Sequence, residues 1–319
     1  MIEIVAHSEA MREAVRLAER VAATDANVLI TGESGVGKDA VAFYIHSRSN
    51  RAKESFVKID CGTLPATLLE AELFGYERGA FTGASDDKPG RLEASHRGTL
   101  VLDEIAHLSI DSQAKLLRVI ETKEFERLGG RETIKVNARL LALTNVDLGE
   151  AVKRRDFRDD LYYRLNVVHI NVPSLRERAE DLPELAQAFV RGYSAKHGRN
   201  VADVSPEALA LLSEYQFPGN VRELANTLER AVIVSSGNRI GLEDLPEPIL
   251  AAARVQRRRA QPPTLAEVEA EHITEVLAIA EGNKTEAARI LGISRKNLYE
   301  KLARKRKDED ESEDETRMQ

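Results

Sequence analysis

The chain has 319 residues, 42% of them hydrophobic, which is enough for two or three domains with real cores. Its formal charge of -7 argues as an average mildly against a nucleic-acid protein, and its single cysteine, Cys61, excludes a disulfide framework or a cysteine zinc site. No apolar run approaches the ~20 residues of a membrane helix, and the N-terminus carries charges in place of an apolar leader, so a soluble cytoplasmic protein is expected.

Residues 9–22 place Met11, Val15, Ala18 and Val21 at helical spacing among Arg and Glu, predicting an amphipathic helix. Short apolar runs follow at 28–30, 56–59, 99–102, 140–143 and 167–170, separated by stretches long enough for crossover helices. That rhythm predicts an α/β domain with a parallel sheet over 1–172. Over 173–245 the pattern becomes wholly helical, with Leu182, Ala186 and Phe189, then Leu209 and Leu212, then Leu224, Leu228 and Val232 on apolar faces. A linker over 246–264, rich in Pro, Ala and Arg, leads to a small all-α module over 265–307 and an acidic tail over 308–319, expected to be disordered.

Gly32, Glu33, Ser34, Gly35, Val36, Gly37 and Lys38 follow the first run and precede a helical stretch, the context that a phosphate-binding loop requires. Glycines let backbone N–H groups face phosphate oxygens, and Lys38 is placed to reach the β and γ phosphates. Asp39 stands where a Ser or Thr hydroxyl would ligate magnesium. Further on, Gly79, Ala80, Phe81, Thr82, Gly83 and Ala84 set one aromatic between two glycines in a charged segment. This reads either as a loop that pushes Phe81 outward or as a turn that folds it into the core. Asp103 and Glu104 end the third run, where Asp103 suits Mg²⁺ and Glu104 suits orienting and deprotonating water; capping of a helix is the structural alternative. Asn145, after the fourth run, falls at the same sheet edge and either senses the γ-phosphate or starts a turn.

Near the C-terminus, 285–291 and a second helix capped by Ser294 flank Gly292 in a helix-turn-helix pattern. Ile290, Leu291, Ile293, Leu298 and Leu302 are its expected core, leaving Arg295, Lys296, Asn297, Tyr299 and Lys301 toward a DNA major groove. Between Gly282 and Lys307 nine Lys and Arg oppose only Glu286 and Glu300, so the acidic average misleads. Val276, Leu277 and Ile279 suggest a preceding helix able to pair two modules on an inverted-repeat site.

With these motifs in this order, and with Glu72-Leu73-Phe74-Gly75 leading into the run to Ala84, the sequence resembles the sigma-54-dependent transcription activators, a branch of the AAA+ ATPases. The resemblance covers roughly residues 2–245 and again 282–303. It implies an AAA+ P-loop sheet with a helical lid, ATP and Mg²⁺ as cofactors, and a homo-oligomeric, hexameric ring. It further implies that the loop of Phe81 and Thr82 engages the sigma-54 RNA polymerase holoenzyme while a Fis-type module holds double-stranded DNA upstream. Arg158 and Arg164 resemble the arginine-finger segment that reaches a neighbouring subunit's site, with surface ion pairs as the plain alternative. Arg222, after Pro218-Gly219-Asn220, resembles the second sensor on the lid, or else is an ordinary helix-surface partner.

Two positions depart from the family pattern. Asp39 replaces the usual Glu, and Asp60 stands where many members carry an Asn that restrains the catalytic glutamate; a carboxylate cannot donate that hydrogen bond. Many relatives carry a sensing domain before the ATPase, whereas here the first predicted helix starts at Glu9. Control is therefore expected from a separate regulatory protein, from oligomerisation or from expression level. The competing expectation is a DNA-binding regulator whose ATPase domain is vestigial or only oligomerises it; the Phe81 loop and the Asp103-Glu104 pair weigh against that.

Overall fold

A computed structural model describes residues 4–252 and 264–302; the middle of the expected linker, the end of the expected helix-turn-helix module and the acidic tail lie outside the described residues. The chain divides into two compact units, Met1–Leu250 and Ala251–Gln319.

The first unit is built on five parallel strands, β1 (Val28–Thr31), β2 (Phe56–Asp60), β3 (Thr99–Asp103), β4 (Arg139–Thr144) and β5 (Val168–Asn171), in the order β2-β3-β4-β1-β5. Alternate residues serve opposite faces, which explains the near-continuous apolar runs. Val28, Ile30, Val101, Leu141 and Leu143 pack with α1 (Glu9–Ala22) and α2 (Lys38–Ser47). Leu29, Leu100, Leu102, Leu140 and Ala142 pack on the other face with α3 (Ala66–Phe74), α4 (Ile110–Thr122), α5 (Leu148–Lys153) and α6 (Asp159–Leu165). In register, Asp60 lies opposite Asp103 and Thr31 opposite Thr144, so the C-terminal ends of four strands form one edge. Buried Arg139 donates to the carbonyls of Val21 and Ala22 at 2.8 and 3.1 Å, satisfying the C-terminal end of α1.

The helical part carries α7 (Leu182–His197), α8 (Pro206–Glu214) and α9 (Asn220–Val234) around buried Ala186, Val190, Leu212, Leu224, Leu228 and Val232. Wholly helical it is not: Asp203–Val204 pairs in parallel with Arg239–Ile240, a two-residue match too short to leave an alternating pattern. Fully buried Asp181 accepts the N–H groups of His7 and Ser8 at 2.6 and 2.8 Å, which ties the start of this part to the N-terminus of α1.

The second unit packs α10 (Leu265–Ile279), α11 (Lys284–Ile290) and a helix over 295–302 around Ile273, Val276, Ala287, Ala288 and Leu298. The expectation that Ile290 joins this core is corrected: it is 46% exposed. At ~100° per residue it points away from Ala288, and the two alanines already face inward. Leu291, Ile293 and Leu302 are partly buried against the core as expected. Val276 is used inside the module, while Ile279 is exposed. Among the described residues no helix is long and apolar enough to cross a membrane.

Candidate functional site

The chain leaves β1 at Thr31, turns through 32–37 and enters α2 at Lys38. The buried Lys38 ammonium donates to the carbonyls of Gly32 and Glu33 at 2.8 and 3.2 Å. Burial holds it below its ordinary pKa, against the opposing pull of Glu104, Asp103 and Asp39. A cavity of about 230 Å³ is lined by Ser34, Gly35, Gly37, Lys38, Asp39, Asp103, Glu104, Val221, Arg222 and Ala225. The expected phosphate loop, acidic pair and second sensor thus meet in one place.

The lid grips the loop from above. Arg222 Nη1 lies 2.9 Å from Ser34 Oγ, and its backbone N–H donates to Gly35 O at 3.2 Å. A Cβ on Gly35 would fall 2.4 Å from the Gly219 carbonyl, so only glycine permits this approach. Fully buried Asn220 donates to Glu33 Oε2 at 3.0 Å and Ser34 O at 3.1 Å, and accepts the Leu175 N–H at 2.8 Å. Arg176 pairs with Glu33, and this bond, followed by that from Asn220, lowers the Glu33 pKa to about 2. Buried Arg178 donates to Val36 O and to Met11 Sδ, its pKa lowered by burial. Sequence reasoning found Arg222 but missed Asn220, Arg176 and Arg178. A signal existed for Asn220 in the Pro218-Gly219-Asn220 run, since Asn tolerates the left-handed backbone that it adopts here at φ 53°.

At the sheet edge, Asp103 Oδ1 accepts the Glu104 N–H at 3.0 Å, and Glu104, itself at φ 51°, accepts the Asn145 N–H at 3.3 Å. Asn145 therefore meets the site through its backbone, and the residue lines a neighbouring cavity with Thr31, His169 and Asn171. Asp60 turns its carboxylate to the Gly62 N–H at 2.8 Å. Lys58, unforeseen from the sequence, sets its ammonium 2.5 Å from Asp39 and 2.7 Å from Asp103. Among the described residues no group of three or more His, Cys, Asp or Glu forms a metal cage. Two carboxylates facing a phosphate loop nevertheless suit Mg²⁺, which takes one or two carboxylates and completes its shell with phosphates and water.

Arg158, the residue just before α6, and Arg164, in its last turn, stand away from this cavity. Arg158 makes a two-point pair with Asp160 at 3.0 and 2.7 Å, and Arg164 meets Glu121 at 3.1 Å. Within one chain both are thus in the ion pairs that the plain alternative describes.

The Phe81 loop rises from Gly75–Tyr76 paired antiparallel with Lys88–Pro89. Phe81 matches neither expectation fully: it is 40% exposed, with its ring edge-on to Tyr76 at 5.0 Å between centroids. Ala84, expected at the contact surface, is buried at 7% exposure and accepts the Gly79 N–H at 2.9 Å, so it belongs to the stem. Beneath lies a second hairpin, Glu124–Phe125 with Ile134–Lys135, whose Leu128 exchanges backbone hydrogen bonds of 3.0 Å with Gly75 and Glu77. Gly129 at φ 73° touches Ala80 so closely that a Cβ would come within 2.8 Å of the Ala80 Cβ.

In the second unit Ser294 Oγ caps the last described helix by accepting the Asn297 N–H at 3.2 Å, and Arg295, Lys296, Asn297 and Tyr299 are exposed. Lys284 sits 4.9 Å over the Tyr299 ring. Lys301, expected to be fully exposed, is instead half-buried and pairs with Glu269 of α10 at 2.6 Å.

Three family profiles match: "Sigma-54 interaction domain" over residues 4–171, "AAA+ ATPase lid domain" over 176–262, and "Bacterial regulatory protein, Fis family" over 264–304. The chain is 46% identical over 307 residues to the regulatory protein AtoC of Escherichia coli (strain K12), covering 94% of this chain and 67% of that protein. It is 45% identical over 315 residues to the transcriptional regulatory protein FlbD of Caulobacter vibrioides, covering 94% and 69%. Its fold resembles NtrX from Brucella abortus, crystallised in complex with ATP, at a TM-score of 0.75 and 34% identity over 95% of this chain and 69% of that one. The chain belongs to the sigma-54-dependent transcription activators, with an AAA+ P-loop fold, a helical lid and a Fis-type helix-turn-helix.

Proposed function

We propose that this chain is an ATP-hydrolysing activator that holds double-stranded DNA upstream of a promoter, assembles into a homo-oligomeric ring, a hexamer in its working form, and remodels the closed complex of sigma-54 RNA polymerase. The observation that carries the reading is one cavity at the C-terminal edge of a parallel sheet, lined by Lys38, Asp39, Asp103, Glu104 and the lid's Arg222. Phosphate oxygens would replace the Gly32 and Glu33 carbonyls as partners of the Lys38 ammonium. Glu104, held by its bond from Asn145, is the residue to orient a water and take its proton. Mg²⁺, when bound, would rest on Asp103 and Asp39 and neutralise charge on the nucleotide phosphates.

Arg158 and Arg164 act across the subunit boundary in this reading, which requires them to leave Asp160 and Glu121. Exposed pairs of that kind contribute little, whereas an arginine brought to a transferring phosphoryl group is worth roughly 10³ to 10⁵ in rate on other NTPases. The exchange is favourable. Phe81 and Thr82 meet sigma-54, and Arg295, Lys296, Asn297 and Tyr299 meet DNA.

ATP turnover measured against protein concentration tests the proposal, with Glu104→Gln as the control. Turnover per chain should rise steeply as subunits assemble, and the Gln variant should be inactive. Phe81→Ala should keep turnover and DNA binding but fail to activate a sigma-54 promoter. Turnover absent at every concentration would leave a DNA-binding regulator with a vestigial ATPase domain.

A further inference from the structure

Lys58 is the one basic residue of the edge strand Phe56–Asp60, and its side chain is 36% exposed. Register sets it opposite Val101 on β3, and from there its ammonium reaches Asp39 in the first turn of α2 and Asp103 at the end of β3. The lysine of the phosphate loop is occupied elsewhere, on the Gly32 and Glu33 carbonyls. Asp39, Asp103 and Glu104 line one cavity, and three carboxylates so placed repel one another unless a cation stands among them. Lys38 attracts all three from inside the cavity, and Lys58 adds direct ion pairs to two of them, Asp39 and Asp103.

We infer that Lys58 is a positioning residue that holds Asp39 and Asp103 in place for the nucleotide and must yield Asp103 to the divalent cation arriving on the phosphates. The Asp103 oxygen that Lys58 binds is the one facing it, and an ammonium and a divalent cation compete for the same lone pairs. Room for withdrawal exists: Lys58 also lines a cavity of about 500 Å³ shared with Asp60, Thr63, Leu68, Glu72 and Phe81. The four-carbon stem can turn into it without disturbing the strand. The role rests on the proposed ATP site, but it makes a separate demand. Removing the charge should act in opposite directions on metal-free and metal-dependent binding, which a merely structural ion pair would not do.

The test measures a fluorescent ATP analogue binding to the full-length protein, first in EDTA and then during a Mg²⁺ titration, for wild type, Lys58→Met and Lys58→Arg. Lys58→Met should bind the analogue about three- to tenfold more weakly in EDTA, as one charge-assisted contact at a half-exposed place would require. Its half-saturating Mg²⁺ concentration should fall by a similar factor, while Lys58→Arg stays near wild type in both. Lys58→Met that leaves both quantities unchanged, or that weakens both alike, overturns the role of Lys58. A wild type that binds the analogue under neither condition overturns the nucleotide site itself. Matching thermal unfolding of the Arg variant and wild type secures the comparison if the Met variant is unstable.

Discussion

Asn220 offers the sharpest test of how the lid and phosphate loop are joined. Replacing it with Ala removes three hydrogen bonds at a fully buried position: those to Glu33 Oε2, to Ser34 O and from the Leu175 N–H. The stranded Leu175 N–H alone costs about 1–3 kcal/mol, and each of the other bonds about 0.5–1.5 kcal/mol. Holding Ala at the φ of 53° adds about 1 kcal/mol that Asn or Gly largely avoids. Discounting for relaxation, a loss of about 3–5 kcal/mol is expected, a large share of a typical domain's stability. Asn220→Gly should lose the same hydrogen bonds without the backbone cost and be about 1 kcal/mol more stable than Asn220→Ala. Urea unfolding of the full-length protein, followed by circular dichroism, measures all three. An Ala variant within about 0.5 kcal/mol of wild type would refute the hydrogen-bond argument. A Gly variant no more stable than Ala would refute the backbone one.

Glu33, held down to a pKa of about 2 by Arg176 and then Asn220, should contribute stability above its unfolded value of 4.5 and lose it as pH falls toward 2. The stability of wild type relative to Glu33→Gln should therefore be constant above pH 4.5 and shrink below it, and a difference flat across that window would contradict the assignment. Burial, and then the charges of Asp60, Asp103 and Glu104, push the Cys61 thiol up to about 12. Native protein should accordingly resist thiol reagents at pH 8 and react at once in urea; comparable rates in both states would show an open site. Gly129→Ala must adopt a φ of 73° and meet Ala80 at 2.8 Å, so a loss of about 1–3 kcal/mol in thermal unfolding is expected, whereas an unchanged midpoint would mean that the two loops separate freely.

Much of the architecture was legible because its signals are local. The runs at 99–102 and 140–143 read as strands since both faces of β3 and β4 are covered, and 9–22 read as a helix from its apolar spacing. The phosphate loop was equally visible, its glycines and lysine lying within a few residues of one another. The two misplaced residues of the helical module fail for opposite reasons. Ile290 is apolar but out of phase with the inward alanines, while Lys301 is charged but finds Glu269 on another helix. Composition predicts average burial, and neither helical phase nor a distant partner enters that average.

Backbone conformation depends on neighbours a few positions away, so the sequence by itself determined the nucleotide loop, the turn bearing Phe81, the helix-turn-helix and the alternation of strand and helix. Tertiary packing decided what no local window contains: the sheet's strand order sets Lys58 of β2 between Asp39 and Asp103, and the docking of the lid helix brings Asn220 and Arg222 onto Ser34. Charge interactions act through space and are screened beyond a Debye length of about 8–10 Å, so which ammonium meets which carboxylate is settled only when the distant segments carrying them pack together.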